Sequence, residues 1–281
     1  MTTIINNTGV LPWRKHLVLV VIVVAYIVLA VVYSIATPIF EASDELWHYP
    51  MIKFIADHGF TLPVQSPADP GPMRQEGSQP PLYYMLGAAL TAGINTADMD
   101  AVRVLNPHPD LGVLRPDGNI NTVVHSPQAE GFPWHGAVLA VHLVRFFSVL
   151  LGAVTVVLTY RLSLELLPGN RAVALGAAAF AAFNPMFLFI SGAINNDNLS
   201  TALATLLLVR IAYLATQTGK PSARQYIAIG VVAGCGMLAK FNIGFLLPFV
   251  AVALGLAAHR RRDWRVFVVG AAISGGLTVL I

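Results

Sequence analysis

Residues 17–36 read LVLVVIVVAYIVLAVVYSIA, an apolar run without a charge. A helix that crosses about 30 Å of hydrocarbon needs about 20 such residues, so the run is predicted to span a bilayer. The rival reading is a secretory leader cut after Ser34-Ile35-Ala36, but leader cores hold only about 7–15 apolar residues. More apolar runs follow at 138–160, 172–193, 199–215, 226–239, 242–258 and 265–281. The expectation is an all-α polytopic membrane protein with about seven transmembrane helices. Composition agrees: 11% of residues are charged and 56% hydrophobic, against about 25% charged in soluble domains.

The charges are sorted along the chain. Of 14 acidic residues, 11 lie between Glu41 and Glu130. Basic residues gather at Arg14-Lys15, Arg161/Arg171, Lys220/Arg224 and Arg260–Arg262/Arg265. All of these fall on one side if the N-terminus is cytoplasmic, as the excess of Lys and Arg in cytoplasmic loops requires. The chain then divides into a cytoplasmic N-terminus (1–16), a first span (17–36), an extracytoplasmic loop (37–136) and a bundle of about six helices (137–281). A multi-pass protein of the cell membrane is expected. The net charge of +3 is too small to suggest a nucleic-acid partner. The single cysteine, Cys235, allows no intrachain disulfide and is expected to be buried. Within the outer loop, the stretch beginning at Pro80 is apolar but too short to span, so a helix lying at the membrane surface or re-entering it is expected. Residues 105–131 read as an irregular loop. Gly230 and Gly234 form a Gly-x-x-x-Gly pattern suited to close helix packing.

Just past the first span, residues 43–50 read SDELWHYP. If the segment is helical, Asp44 and His48 share one face, and Glu41 and Glu45 a neighbouring one. Like charges this close are unfavourable without a cation, a proton or a basic partner. A zinc protease would need a second histidine where Asp44 stands, so that reading fails. A carboxylate base remains: Asp44 would take a proton from an acceptor hydroxyl or amine as it attacks an activated sugar carbon. A divalent ion could neutralise the departing phosphate. The bland alternative is a solvated turn at the membrane surface.

Three stretches carry a family resemblance: EASDELWHYPMIKFIADHG (41–59), GSQPPLYYMLGAAL (77–90) and NPMFLFISGAINNDNLSTALATLLL (184–208). In this order the chain resembles GT-C type lipid-linked-sugar glycosyltransferases, which include protein O-mannosyltransferases and lipid A aminoarabinose transferases. The landmarks are Asp44-Glu45, Pro80-Pro81-Leu82 and Asp197. The resemblance implies a polyprenyl-phosphate sugar donor, transfer with inversion, a protein, lipid or glycan acceptor, and Asp44 and Glu45 as the catalytic pair. The family has more spans and often a soluble C-terminal domain. Because the chain stops at Ile281 inside an apolar run, a longer protein is expected.

Other residues are weighed against plainer roles. Asp197 either caps the helix that follows or helps bind metal or acceptor beside Asp44. Arg145 either snorkels or contacts the donor phosphate. Lys240 breaks the charge pattern as a basic residue at an outer turn, which a donor-phosphate contact would explain. His48 shapes the site, and a metal such as Mg or Mn would draw on Asp44, His48 and Asp197. Tyr83 and Tyr84 are interfacial anchors or sugar-stacking groups. Arg210 snorkels, and His58, His125 and His135 receive no role. Against the enzyme stand a transporter, which would place charges near the bilayer midplane, and a non-catalytic protein sharing the fold.

Overall fold

A computed structural model describes residues 16–42, 44–66, 68–109 and 120–281. The basic pair Arg14-Lys15, Ser43 and the middle of the predicted irregular loop lie outside the described residues. The first helix, α1 (Leu17–Ala36), stops where Pro38 forces Thr37 into an extended conformation. Its outward valines, such as Val20, Val24, Val28 and Val32, are all exposed, as a lipid-facing surface requires.

Among its described residues, the loop between the first and second predicted spans carries four helices: α2 (Glu45–Asp57), α3 (Leu82–Thr91), α4 (Met99–Val102) and α5 (Pro127–Glu130). A 3-10 turn at Arg74–Ser78 precedes α3. Pro50 sits inside α2 and has no N–H to give the carbonyl of Leu46. Arg103 supplies the missing donor, its Nε lying 3.0 Å from that carbonyl oxygen. The same guanidinium and that of Arg74 flank the Trp47 ring, Arg74 at 3.9 Å from the centroid. The loop is therefore tied down by its own cations.

The long helix α6 (Gly136–Leu166) has 31 residues, about 46 Å at 1.5 Å per residue. That exceeds the roughly 30 Å of a bilayer core, so one end stands clear and carries the loop. Asp98 holds that end, accepting the Ala137 N–H at 2.9 Å. Next come α7 (Arg171–Ala182) and α8 (Pro185–Ser191), bent by 61°. Asn184 makes the break by capping α8, accepting from the N–H groups of Met186 and Phe187, with Pro185 at the first helical position. The predicted third span is thus a broken one.

The chain ends in α9 (Asp197–Thr216), α10 (Ala223–Ala239), a 3-10 turn (Phe241–Leu246), α11 (Leu247–Arg261) and α12 (Arg265–Leu280). All seven predicted segments are helical. Four are long and apolar enough to cross a bilayer, and five if the bent pair is one span; α10 and α12 are shorter apolar helices.

Packing separates the described residues into three cores. One joins the loop helices to the start of α6, the start of α9 and the end of α10. A second lies among α9, α10, α11 and α12, and a third among α1, α6, α7 and α8. Gly230 and Gly234 let α10 approach α12 closely: a Cβ at Gly230 would strike the Ser274 backbone, and one at Gly234 the Ile281 side chain. Cys235, expected to be buried, is half-buried.

Candidate active site

Asp44 is the residue before α2, and its carbonyl accepts the N–H of His48 at 3.0 Å. Asp44 is exposed, whereas His48 is buried one turn deeper. Glu76, from the 3-10 turn, is also buried and reaches the same place. Ligand atoms of Asp44, His48 and Glu76 all lie within 4.8 Å of one another. Tyr84 of α3 knits the group together. Its hydroxyl is 2.8 Å from His48 Nδ1 and 3.3 Å from Glu76 Oε2.

Burial sets the charges here. It lowers His48 to about 4, the nearby Lys240 charge pushes the same way, and Asp197 opposes both, so the imidazole is neutral at pH 7. Burial also raises Glu76, with the Asp44 charge adding to it. Tyr84 is raised mainly by burial and keeps its proton. The hydroxyl therefore donates to Glu76 and accepts from His48 Nδ1, which assigns the imidazole hydrogen to Nδ1 and leaves Nε2 as an acceptor. Lys240 follows α10 and donates to Asp197 Oδ1, the first residue of α9, at 2.5 Å. Asn196 ties these ends to the outer loop, its Nδ2 lying 3.3 Å from the Ala239 carbonyl and 3.4 Å from Gln79 Oε1.

Glu45 and Arg145 belong to a different structure. Both side chains are fully buried. Arg145 Nε donates to Glu45 Oε2 at 2.9 Å and Nη2 to Oε1 at 2.6 Å. Nη1 donates to the carbonyls of Ser34 and Thr37, and Nη2 also to that of Pro38. A guanidinium has five N–H donors, so none is left over. The Glu45 carboxylate further accepts the N–H groups of Phe40 at 2.9 Å and Ile194 at 2.8 Å. This pair locks the end of α1, the start of α2, α6 and the turn before α9 into one unit.

Several expectations change accordingly. All five N–H donors of Arg145 are taken within the protein, and the Glu45 carboxylate is enclosed in the same network, unlike the exposed Asp44. Tyr83 and Tyr84 are neither interfacial anchors nor stacking surfaces, because both are fully buried. Tyr83 instead bonds Ser148 Oγ at 2.8 Å and accepts the Asn195 N–H. Asp197 does not cap α9, since its carboxylate holds Lys240. Glu41 lies outside α2 and accepts from Thr122 and Val123, with its oxygen 2.9 Å from His125 Nε2. His125, given no role from sequence, thus sits between Glu41 and Glu130.

The candidate metal set also shifts. Among the described residues the third ligand beside Asp44 and His48 is Glu76, not Asp197. The donors fit a divalent ion: one accepting imidazole nitrogen, two carboxylates, and a second hydrogen bond fixing the ring. The histidine suits zinc or iron better than magnesium, while the two carboxylates also admit manganese. Glu76 escaped the sequence reading because RQEGS has no periodicity and its partners lie on two other elements.

A family model described as dolichyl-phosphate-mannose-protein mannosyltransferase matches residues 140–281, half of the chain. No curated protein and no solved structure matches. Asp197 and Lys240 fall within the matched stretch, and Asp44, His48 and Glu76 precede it.

Proposed function

This chain belongs to the dolichyl-phosphate-mannose-protein mannosyltransferase family, and from that premise we propose that it moves a sugar from a polyprenyl-phosphate donor to an acceptor hydroxyl at the extracytoplasmic surface. It is a membrane glycosyltransferase of the GT-C kind. A protein acceptor accords with the family's description; lipid and glycan hydroxyls offer the same chemistry.

The supporting observation is the asymmetry of the cluster. Asp44 is exposed while His48, Glu76 and Tyr84 around it are buried and bonded to one another. Asp44 takes the proton of the acceptor hydroxyl as its oxygen attacks the anomeric carbon from the side opposite the phosphate. The bond from that carbon to the phosphate oxygen breaks, the configuration inverts, and polyprenyl phosphate leaves. Lys240 keeps two ammonium donors beyond its bond to Asp197 and holds the phosphate. A divalent cation on Asp44, His48 and Glu76 would add charge neutralisation at the leaving group.

The test is transfer from a labelled polyprenyl-linked sugar in membranes. General-base assistance is worth about 10²–10⁴-fold, so Asp44→Asn should lower transfer by at least about a hundredfold while donor binding survives. Near-normal transfer by a well-expressed Asp44→Asn protein would return the segment to a solvated turn.

A further inference from the structure

The end of the bundle remote from Asp44 carries a second polar cleft, which the transfer reaction does not use. A cavity of about 480 Å³ opens between α6 and α9. Its lining is graded with depth. Leu158 and Leu206 lie toward the bilayer centre, Arg161 and Arg210 come next on their helices, and Glu165 and Tyr213 lie nearest the helix ends. Both arginines stand roughly 8–9 Å inside those ends at about 1.5 Å per residue. Arg161 is also roughly 24 Å along α6 from Arg145, by the same rise, and so far from the Asp44 cluster.

Neither guanidinium makes an ion pair or a side-chain hydrogen bond among the described residues, although Glu165 follows Arg161 by one turn. Both guanidiniums are exposed, and two unpaired cations on neighbouring helices that line one cavity offer an anion two sets of charge-assisted donors. Simple snorkelling accounts for one arginine reaching toward water. It does not account for two converging on one cleft with leucines beneath.

We propose that this cleft binds the headgroup of one glycerophospholipid. Its phosphodiester sits between Arg161 and Arg210, its chains run along Leu158 and Leu206, and Glu165 accepts from an amine or hydroxyl of the headgroup. The charges match: two cations and one anion meet a phosphate that carries a hydrogen-bond donor. Arginine pockets between membrane helices suit such headgroups, and the guanidinium fork fits a phosphate bidentately.

The test is native mass spectrometry of the full chain in detergent, with phosphatidylethanolamine, phosphatidylglycerol, phosphatidylcholine, polyprenyl phosphate and inorganic phosphate supplied in turn. The first two should be retained, and phosphatidylcholine, which has no headgroup donor, should be held more weakly. Arg161→Gln with Arg210→Gln should weaken retention at least about tenfold, as losing charge-assisted hydrogen bonds implies. Glu165→Gln should narrow the gap to phosphatidylcholine. Should the double glutamine variant fail to fold, Arg161→Lys with Arg210→Lys keeps the charge and loses the fork, and weaker retention is again expected. Unchanged retention in the variant that folds, or retention of polyprenyl phosphate or inorganic phosphate that is tighter than that of the glycerophospholipids and is lost with the two arginines, would overturn the proposal.

Discussion

Arg145 meets Glu45 with hydrogen bonds of 2.6 and 2.9 Å, and neither side chain is exposed at all. Removing one member of such a pair strands a buried charge, which costs about 3–5 kcal/mol. Arg145→Gln should therefore show as a lower unfolding temperature in detergent and a lower protein level. Arg145→Lys should recover only part of the loss, since an ammonium cannot reproduce five directed donors. A stable Arg145→Gln protein with a raised donor KM would restore the phosphate-contact reading.

His48 predicts an acid-sensitive fold. Burial holds its folded value at about 4 against an ordinary 6.5. Between those values the unfolded chain binds a proton that the folded chain refuses. The contribution is complete above about pH 6.5 and is lost as pH falls toward 4. The difference is on the order of 3 kcal/mol at most. In chelator-treated protein, the unfolding temperature should drop over that window, and His48→Gln should flatten the curve. Parallel curves for the two proteins would remove His48 as the cause.

Divalent-ion binding should follow the cluster and not the sequence pattern. Titration with Mn²⁺ followed by electron paramagnetic resonance should give binding that Glu76→Gln and His48→Ala weaken by at least about tenfold, in keeping with the loss of a ligand or of its orienting partner. Asp197→Asn should leave it unchanged. Equal loss in all three would point to a general surface effect.

Lys240→Ala should mainly raise the apparent KM for the lipid donor. Asp197→Asn should do so less, by loosening Lys240. Kinetics at varied donor concentration separate the cases, because a loss of kcat at saturating donor would place Lys240 in the chemical step instead.

Sidedness is open to labelling. In a Cys235→Ala background, Ser126→Cys should react with an impermeant thiol reagent on intact cells, as the bias of Lys and Arg to the other connections predicts. Reaction only after permeabilisation would put the cluster on the other face.

The segments that became helices were legible because hydropathy is a local property, and each run from 17–36 to 265–281 carries its own signal. The break at Asn184 was less so: Asn-Pro marks it in the sequence, but the apolar run continues on both sides. Asp44 and His48 were legible as a pair because one helical turn joins them. Pairings through space were not. Sequence places a costly arginine near the end of a span, yet nothing local to Arg145 indicates that its counter-ion is Glu45, the first residue of α2, 100 residues earlier. The same holds for Glu76, whose meaning depends on Tyr84 and His48. Tyr83 and Tyr84 look like surface anchors until α3 is seen folded against α2 and α6.

The separations within the Glu45 junction bear on how the protein is made. Arg145 comes 100 residues after Glu45, and Ile194 comes 149 after it. At about 5–20 residues per second of synthesis, Glu45 waits roughly 5–20 s for its guanidinium, and about 7–30 s for the Ile194 amide. During that interval the carboxylate stands solvated beside a single inserted helix, and the outer loop has no lock. Biogenesis thus passes through a stage in which the acidic segment is accessible to chaperones and proteases. A lesion that slows insertion of α6 would lengthen that stage without altering a single contact of the finished enzyme.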